Sequence, residues 1–362
     1  MMLKQVKKSK IVMLLSLTIL LSIGCTNEDL SSGNNQNSNE PQIVIGAIVD
    51  EWNLEHVSGN TSNQASFSFG VSLWNFEFSP TGDYYAVHEI QATEQTPLNM
   101  KLVNLSSEGF YYVLKLFVNY EETAFRILGE DEGYITEYIF FLEGAHEINL
   151  PFVLDFDFPE SDSTYKLTAS IFIDPNRYVT NEEHREEIYR WRQGMSLNAD
   201  LVLGTGGAIE LINAPSYAEL IERQEDNGFF NFKVAQSFNF NDFGFLEFPD
   251  FTTQVQVGEA FSLDFYATPE VAPGYELENY IIIGLLNWQQ VPLNGEPYLL
   301  VDATSQSFNN LMDHGTFMID AINEPGFYDF IAILIPNPTF PNSSSNYRPL
   351  MLSNRLTIEV VE

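Results

Sequence analysis

Two stretches of this chain repeat each other, and a repeat constrains the fold because it requires the same unit to be built twice. YVLKLFVNY at 112–120 aligns without gaps on YIIIGLLNW at 280–288. Some fifty residues after each copy, a second pair follows, Tyr165–Pro175 and Tyr328–Pro336. In both members of this second pair a Tyr is followed by apolar residues or Ala at two-residue steps, which is the period of a β-strand with one buried face. The chain is therefore expected to contain two copies of one β-rich unit.

Short strands separated by turn residues are predicted throughout the first copy. Phe67, Phe69, Val71 and Leu73 alternate with Ser and Gly before the turn residues at 80–83. Runs of this kind, rich in β-branched and aromatic residues, are typical of strands. They span Ser66–Phe78, Leu98–Leu105, Phe110–Tyr120, Tyr134–Leu142, Glu147–Phe156 and Tyr165–Ile173. Turn signals every ~8–15 residues favour antiparallel sandwiches over βαβ units. The expected fold class is mainly β, with two antiparallel β-sandwich domains.

The segment Pro325–Phe330, PGFYDF, resembles the turn that enters the penultimate strand of immunoglobulin-like and fibronectin type III-like bacterial sandwich domains. In those domains a Tyr folds back to hydrogen-bond the corner. The resemblance implies that both sandwiches are immunoglobulin-like. The single Cys excludes the Cys–Trp–Cys core of antibody domains.

Two helices are predicted between the copies. Thr180–Gln193 has a capping box formed by Thr180 and Glu183, and a second box starts at Ser216. The first helix falls in an enlarged loop after the Tyr165 strand, and enlarged loops on a rigid sandwich are common binding sites. The expected divisions are a signal peptide at 1–24, a flexible tether at 25–42, a first sandwich at 43–213 with a helical loop near 180–193, a connecting helix at 214–228, and a second sandwich at 229–362.

The N-terminus carries an export pattern. Four Lys residues precede Ile11–Ile23, a run of thirteen uncharged residues that ends at Gly24–Cys25. At 1.5 Å per residue this run spans roughly 20 Å, which is short of the ~30 Å hydrocarbon core. It resembles the bacterial lipoprotein signal, although Ser22 stands where that family usually has Leu. The resemblance implies that Cys25 becomes the first mature residue, receives lipid, and anchors the chain to the cell membrane or outer membrane, facing outside the cytoplasm. A plain signal peptide with an incidental Cys is the alternative.

Charge limits the partners. Fifty acidic residues face sixteen basic ones, which gives a formal net charge of −34. A field of this sign repels nucleic acid, so no nucleic-acid partner is expected. Adaptation to an alkaline or salty exterior explains such a surface as well as attraction of Ca²⁺ or cationic partners does.

No motif predicts catalysis or a cofactor. A G-x-S-x-G elbow and an H-E-x-x-H pair are absent from the sequence, and the S-x-x-K match at Ser163 lacks its partner motifs. The Gly-rich run 204–207 lacks a βαβ context, so a turn is expected there. Four carboxylates lie between Asp155 and Asp162, and calcium binding at this patch stays an open question.

The scarce positive residues concentrate in one place, the candidate ligand-binding set Arg177, Arg185, Arg190, Trp191 and Arg192. Arg and aromatic residues are enriched at binding hot spots. The alternative is a self-neutralised surface helix, since four Glu residues lie in the same segment. Trp74 and Trp288 lie in strand patterns and are expected in the cores, with sugar stacking as the alternative.

These observations favour a lipid-anchored binding or adhesion-type protein that is not an enzyme and has no cofactor. Its expected partners are the membrane, through the lipid, and a protein or cell-surface glycan. The alternative is an extracytoplasmic glycan-acting hydrolase or a transport accessory lipoprotein, because two carboxylates can perform glycosidic chemistry.

Overall fold

The computed structural model describes residues 47–48, 66–70, 89–91, 98–104, 109–130, 133–144, 146–158, 162–178, 194–209, 211, 216–217, 232–238, 250–267, 277–302, 313–341 and 350–362. Within these ranges there is no helix, and every regular element is a β-strand. The prediction of a mainly β chain is confirmed.

Among the residues that the structure describes, eleven strands precede residue 210. They are β1 (Ala47–Ile48), β2 (Ser66–Gly70), β3 (Glu89–Gln91), β4 (Leu98–Asn104), β5 (Phe110–Val118), β6 (Glu121–Glu122), β7 (Phe125–Ile127), β8 (Tyr138–Leu142), β9 (His146–Leu154), β10 (Thr164–Ile173) and β11 (Gly194–Val202).

A further eleven strands follow. They are β12 (Ser216–Tyr217), β13 (Phe232–Ala235), β14 (Thr252–Gln256), β15 (Phe261–Ala267), β16 (Asn279–Leu286), β17 (Gln289–Val291), β18 (Leu299–Asp302), β19 (Asp313–Ile319), β20 (Gly326–Pro336), β21 (Met351–Leu352) and β22 (Leu356–Val361).

The strands form four sheets that pair into two halves. In the first half, sheet 1 has the order β1-β9-β4-β2 with β7 on β9, and sheet 2 has the order β3-β11-β10-β5-β6 with β8 on β5. In the second half, sheet 3 has the order β12-β18-β16-β20-β22-β14 with β17 on β16 and β21 on β20, and sheet 4 has the order β13-β15-β19. Each half encloses its own apolar core, to which both of its sheets contribute.

The pairing is antiparallel in the centre of the sheets and parallel at four edges. The parallel pairs are β2 with β4, β3 with β11, β12 with β18, and β14 with β22. The predicted antiparallel pairing is therefore confirmed for the centre of the sheets, and the four edge strands depart from it because they arrive through longer connections than a hairpin allows.

The internal repeat is visible in the turns. Asn119–Tyr120 and Asn287–Trp288 both adopt left-handed backbone angles, with φ of 47° and 72° in the first turn and 45° and 67° in the second. Two consecutive residues with positive φ form the type I′ turn of a tight hairpin, which Asn favours at its first central position. In both halves the Asn N–H donates to the penultimate strand, to Lys166 O and Asp329 O, and the Asn side chain accepts from the same residue. The turns therefore fix the register of equivalent strands identically.

Two predicted helices have different outcomes. The helical loop near 180–193 lies outside the described residues. Of the connecting helix predicted at 214–228, Ser216 and Tyr217 instead form β12 and pair with Leu300 and Val301, and the rest lies outside the described residues. A capping box is a local signal, and the backbone groups of these two residues instead complete an edge of sheet 3.

The chain from Pro41 to Glu362 is one compact unit that holds both halves. Among the described residues, no helix is long and apolar enough to cross a membrane.

Candidate functional site

The two halves meet in a third apolar cluster, and this junction creates the candidate site. The cluster takes side chains from the outer faces of β5 and β10 in the first half and of β16 and β20 in the second. Its fully buried members are Val113, Phe117, Tyr120, Phe172, Ile281, Ile283, Leu285, Trp288, Tyr298, Ile331, Ile333 and Ile335. Burying such a face on both sides stabilises the docked arrangement through the hydrophobic effect.

Each half inserts one aromatic side chain into the other half, and we call these two side chains, Tyr120 and Trp288, the hooks. Tyr120 Oη donates a hydrogen bond of 2.6 Å to Pro338 O, and Trp288 Nε1 donates one of 2.9 Å to Pro175 O. Tyr120 and Trp288 occupy the same position of the two repeat copies. The two prolines also correspond, because each follows a residue with a left-handed backbone, Asp174 with φ 49° and Asn337 with φ 45°. The junction is therefore approximately two-fold symmetric.

A reciprocal polar contact adds to the hooks at the edge of the junction. Glu122 N donates to Gln290 Oε1 at 2.6 Å, and Gln290 N donates to Glu122 Oε2 at 3.0 Å. The same Glu122 carboxylate pairs with the buried ammonium of Lys115. Burial lowers the pKa of Lys115, and the contact with Glu122 opposes that shift.

Arg355 departs from this symmetry. Its Nη1 donates to Ile173 O at 3.0 Å and to Asp174 O at 3.1 Å, and its Nη2 donates to Arg177 O at 2.6 Å. Nη2 also pairs with the buried carboxylate of Asp329. Burial raises the pKa of Asp329, and the guanidinium opposes that rise. Arg355 therefore fixes a segment of the first half from a position in the second.

An exposed surface lies directly over this buried pair. We call it the junction surface and define it by Arg177, Tyr178 and Phe327. The rings of Tyr178 and Phe327 lie 5.9 Å apart at 40°, and these side chains are 42% and 51% exposed. Burial raises the pKa of the Tyr178 hydroxyl, with the nearby Asp329 carboxylate acting in the same direction. The surface thus offers two aromatic rings from different halves, next to an exposed Arg177.

Of the ligand-binding residues expected from the sequence, Arg177 lies on the junction surface. The others, Arg185, Arg190, Trp191 and Arg192, lie outside the described residues, as does the lipidation candidate Cys25. Phe327 and Arg355 were missed. An isolated Arg among fifty acidic residues and an aromatic residue next to a Pro-Gly corner are the signals that point to them.

Of the remaining sequence candidates, Trp74 lies outside the described residues, and the described ones serve the fold. Trp288 is buried as expected, although its place is between the halves. The Gly-rich run forms the expected turn, with Gly204 and Gly206 at positive φ. The oxygen Oδ1 of Asp162 accepts hydrogen bonds from the N–H and hydroxyl of Thr205 in that turn, at 2.9 and 3.1 Å.

The acidic patch contributes no metal geometry within the described part of the chain. Asp155 and Asp157 are exposed on one side, while Phe156 and Phe158 alternate to the other and pack on Tyr165. The described residues contain no group of three or more side chains placed to hold a metal ion.

No protein-family model matches the sequence, and no curated protein matches it. Among solved structures, the CARDB domain of a Pyrococcus furiosus protein in complex with di-metal ions is 12% identical with a TM-score of 0.22, and the match covers 40% of this chain and 99% of that one. The C-terminal domain of the AgI/II polypeptide BspA of Streptococcus agalactiae is 10% identical with a TM-score of 0.23, covering 78% and 98%. A multi-copper oxidase of Pediococcus acidilactici is 13% identical with a TM-score of 0.18, covering 84% and 60%. At these TM-scores the likenesses carry no argument.

Proposed function

We propose that this chain is a lipid-anchored, extracytoplasmic binding protein of the adhesion type, built from two immunoglobulin-like sandwiches. Cys25 is the lipidated residue, the tether at 25–42 separates the anchor from the sandwiches, and the junction surface takes part in binding a protein or a cell-surface glycan. The observation that carries the binding role is the exposed Tyr178–Phe327 pair beside Arg177, held in place across the two halves.

The strand order supports the immunoglobulin-like part of the proposal. In each half a five-strand series runs through both sheets, with β4, β5, β9, β10 and β11 of the first half corresponding to β15, β16, β19, β20 and β22 of the second. Immunoglobulin-like sandwiches pair strands C, F and G in one sheet and B with E in the other, and both halves have these pairings. Tyr328 Oη donates to Glu324 O at 3.0 Å, four residues upstream, which is the corner hydrogen bond expected for such domains.

The chemistry of the junction surface supports binding. Large exposed aromatic side chains lose little conformational entropy on contact, and Tyr and Arg are enriched among residues that dominate binding energy. Tyr178 directly precedes the segment 179–193, which carries the other candidate residues Arg185, Arg190, Trp191 and Arg192. The junction surface is therefore continuous in sequence with these candidates.

The anchor is tested by intact-mass analysis of the native protein from its membrane fraction. Cleavage before Cys25 with an added diacylglyceryl and acyl mass is the expected result. A chain that keeps Met1, or begins at Cys25 without added mass, contradicts the lipoprotein assignment.

Binding is tested with two probes, purified cell-wall polysaccharide and purified surface proteins of the source cell. The double variant Tyr178→Ala, Phe327→Ala is expected to bind at least one probe about tenfold more weakly than the wild type. Tyr134→Ala is the matched control, because Tyr134 is 49% exposed and contacts Arg126 away from the junction cluster. Equal binding by the double variant and the control contradicts a role for the junction surface.

The loop is tested separately by Arg190→Ala with Arg192→Ala. This variant is expected to weaken binding to the same probe and leave the melting temperature unchanged, because both residues are assigned to the ligand. Unchanged binding assigns the arginines to a self-neutralised surface helix instead.

A further inference from the structure

Arg355 lies in an interruption of the last strand of the chain. The strands β21 and β22 are separated by Ser353, Asn354 and Arg355, and all three are at least 97% buried. Ser353 exchanges hydrogen bonds with the backbone of Ala332 in β20, and Asn354 does so with Val234 in β13. Ser353 and Asn354, the other two residues of this interruption, are therefore fixed to the second half. The interruption aims Arg355 across the junction, as bulges commonly re-aim a side chain.

The segment that Arg355 contacts lies where β10 ends. Asp174 has a left-handed backbone, with φ of 49°, so the chain turns away from the strand direction at this point. Arg355 donates to the carbonyls of Ile173, Asp174 and Arg177 in this turn. Hydrogen bonds from a charged donor are stronger than neutral ones, and the fork of a guanidinium fixes their directions. Tyr178, the first-half ring of the junction surface, is the next residue after this set.

At the other end of the junction, the hydrogen bonds described for the equivalent turn join neutral groups. Pro338 O accepts from the Tyr120 hydroxyl, and Asn337 O accepts from the N–H of Phe340. Because the two hooks are alike, the docking of the halves alone does not explain why Arg355 bonds three carbonyls at one end of the junction. That contact lies at the end where Tyr178 and Phe327 meet.

The ion pair between Arg355 and Asp329 has its charges placed the other way round from the corresponding ion pair of the first half. Lys166 and Asp329 occupy equivalent positions on β10 and β20, as their identical contacts with Asn119 and Asn287 show. Lys166 pairs with Asp200 within the first half, at 2.5 Å. In the second half the carboxylate is on the penultimate strand and the cation is Arg355, whose length lets it reach past Asp329 into the other half. Lys166 forms its pair inside its own sheet, because β10 and β11 are adjacent.

We propose that Arg355 is a positioning residue for the junction surface: together with the Trp288–Pro175 hydrogen bond it holds segment 173–178 against the second half, so that the surface is composite and loosens when the guanidinium no longer holds the three carbonyls. Asp329 orients the guanidinium, and Trp288 lies under it, with its ring centre 5.0 Å from Arg355 Cζ. The importance of the segment for binding rests on the proposed function, whereas the positioning itself does not.

Hydrogen exchange of the full chain, followed by mass spectrometry, tests this positioning without any ligand. The reporter peptide covers 173–178, which contains the Asp174 and Arg177 amides bonded to Tyr111 O and Asp174 O. The matched control peptide covers 336–340, where the equivalent amides of Asn337 and Phe340 are bonded in the same way to Asn279 O and Asn337 O. Two variants are compared with the wild type: Arg355→Lys, which cannot donate as a fork, and the double variant Arg355→Met, Asp329→Leu.

The double variant keeps the experiment decisive because replacing a buried ion pair by apolar residues of similar size usually preserves folding. Both variants are expected to speed exchange in 173–178 at least about tenfold, with 336–340 unchanged. Unchanged exchange in 173–178 of the folded double variant overturns the proposal. Equal acceleration of both peptides also overturns it, because Arg355 is then a general stabiliser of the junction. If exchange responds as expected while the Tyr178→Ala, Phe327→Ala variant binds normally, the proposed function fails and the positioning role stands.

Discussion

The indole Nε1 of Trp288 lies 2.9 Å from the carbonyl oxygen of Pro175 and donates a hydrogen bond to it, although these residues belong to different halves. Tyr120 makes the corresponding contact with Pro338 in the opposite direction. Because both hooks emerge from the same type I′ turn of a repeated hairpin, the repeat explains the docking as well as the fold of each half.

Removing either hook is expected to loosen the junction. Trp288→Phe and Tyr120→Phe each delete a donor and leave a buried proline carbonyl unsatisfied, which costs roughly 1–3 kcal/mol of the free energy of unfolding. Trp288→Phe is expected to cost more of the two, since it also removes ring volume that packs on Phe172 at 5.1 Å. Urea denaturation followed by circular dichroism measures both.

Tyr111→Phe is a control for the loss of a hydroxyl, because Tyr111 is 37% exposed and contacts Phe141. If the hook variants lose no more stability than this control, the two hydrogen bonds do not hold the halves together.

Strand positions were largely predictable from the sequence. The predicted runs Leu98–Leu105 and Tyr165–Ile173 correspond to Leu98–Asn104 and Thr164–Ile173. Two-residue alternation is a local property of a strand with one buried face, so it is written in consecutive residues. On β10, Leu167 and Ala169 enter the core of the first half as expected. The parallel edge strands were not predictable, because their partners are set by long connections that carry no pairing signal.

The junction surface was only half predictable. Arg177 stood out because positive residues are scarce, and a loop after the Tyr165 strand was expected to bind. Its partner Phe327 and the supporting Arg355 lie roughly 150 to 180 residues further along the chain, and they meet segment 173–178 only after the halves dock. β5 is apolar on both faces, because Val113 and Phe117, which face the junction, are as apolar as the residues that face the core. This pattern is typical of a strand buried on both sides, and it was the available signal for a second buried surface, although it does not identify the partner.

Gly284 is expected to tolerate no side chain. It stands where the first repeat copy has Leu116, and a Cβ there would lie 2.8 Å from Leu293 Cδ2 and 3.2 Å from the Phe330 ring. Gly284→Ala is therefore expected to lower stability by roughly 1–3 kcal/mol through overpacking. Gly133→Ala is the control, because a Cβ at Gly133 has no atom within 4 Å, and it should change stability by less than about 0.5 kcal/mol. Thermal unfolding of both variants distinguishes the sites, and equal melting temperatures would show that Leu293 moves aside freely.

The Asp162 carboxylate is expected to stabilise the fold at neutral pH and to lose this effect in acid. The Thr205 N–H and then its hydroxyl hold the pKa of this carboxyl below its ordinary value. A depressed folded-state pKa means that the unfolded state takes up the proton first, so the contribution is complete above the unfolded value of about 3.9 and is lost as pH falls through the folded value. Carboxyl NMR titration of the wild type should therefore give a midpoint below about 3.9 for Asp162. Thr205→Val should move that midpoint upward while keeping the turn, and an identical midpoint in both proteins argues against the hydroxyl contact.

The buried pair of Lys166 and Asp200 is expected to stabilise the fold less than its burial suggests. Their side chains are 2% and 4% exposed, and burial lowers the pKa of Lys166 against the opposing charge of Asp200. Lys166→Met leaves a buried carboxylate without its cation and should cost about 3–5 kcal/mol of the free energy of unfolding, whereas Lys166→Met with Asp200→Leu should be close to neutral.

The pH dependence of stability follows from the lowered pKa of Lys166. The unfolded chain keeps the Lys166 proton to about 10.4 and the folded chain releases it earlier, so stability rises with pH between the two values. Urea unfolding of the single and double variants at neutral and alkaline pH measures both effects. A double variant as unstable as the single one would show that the pair contributes a specific attraction that apolar packing cannot replace.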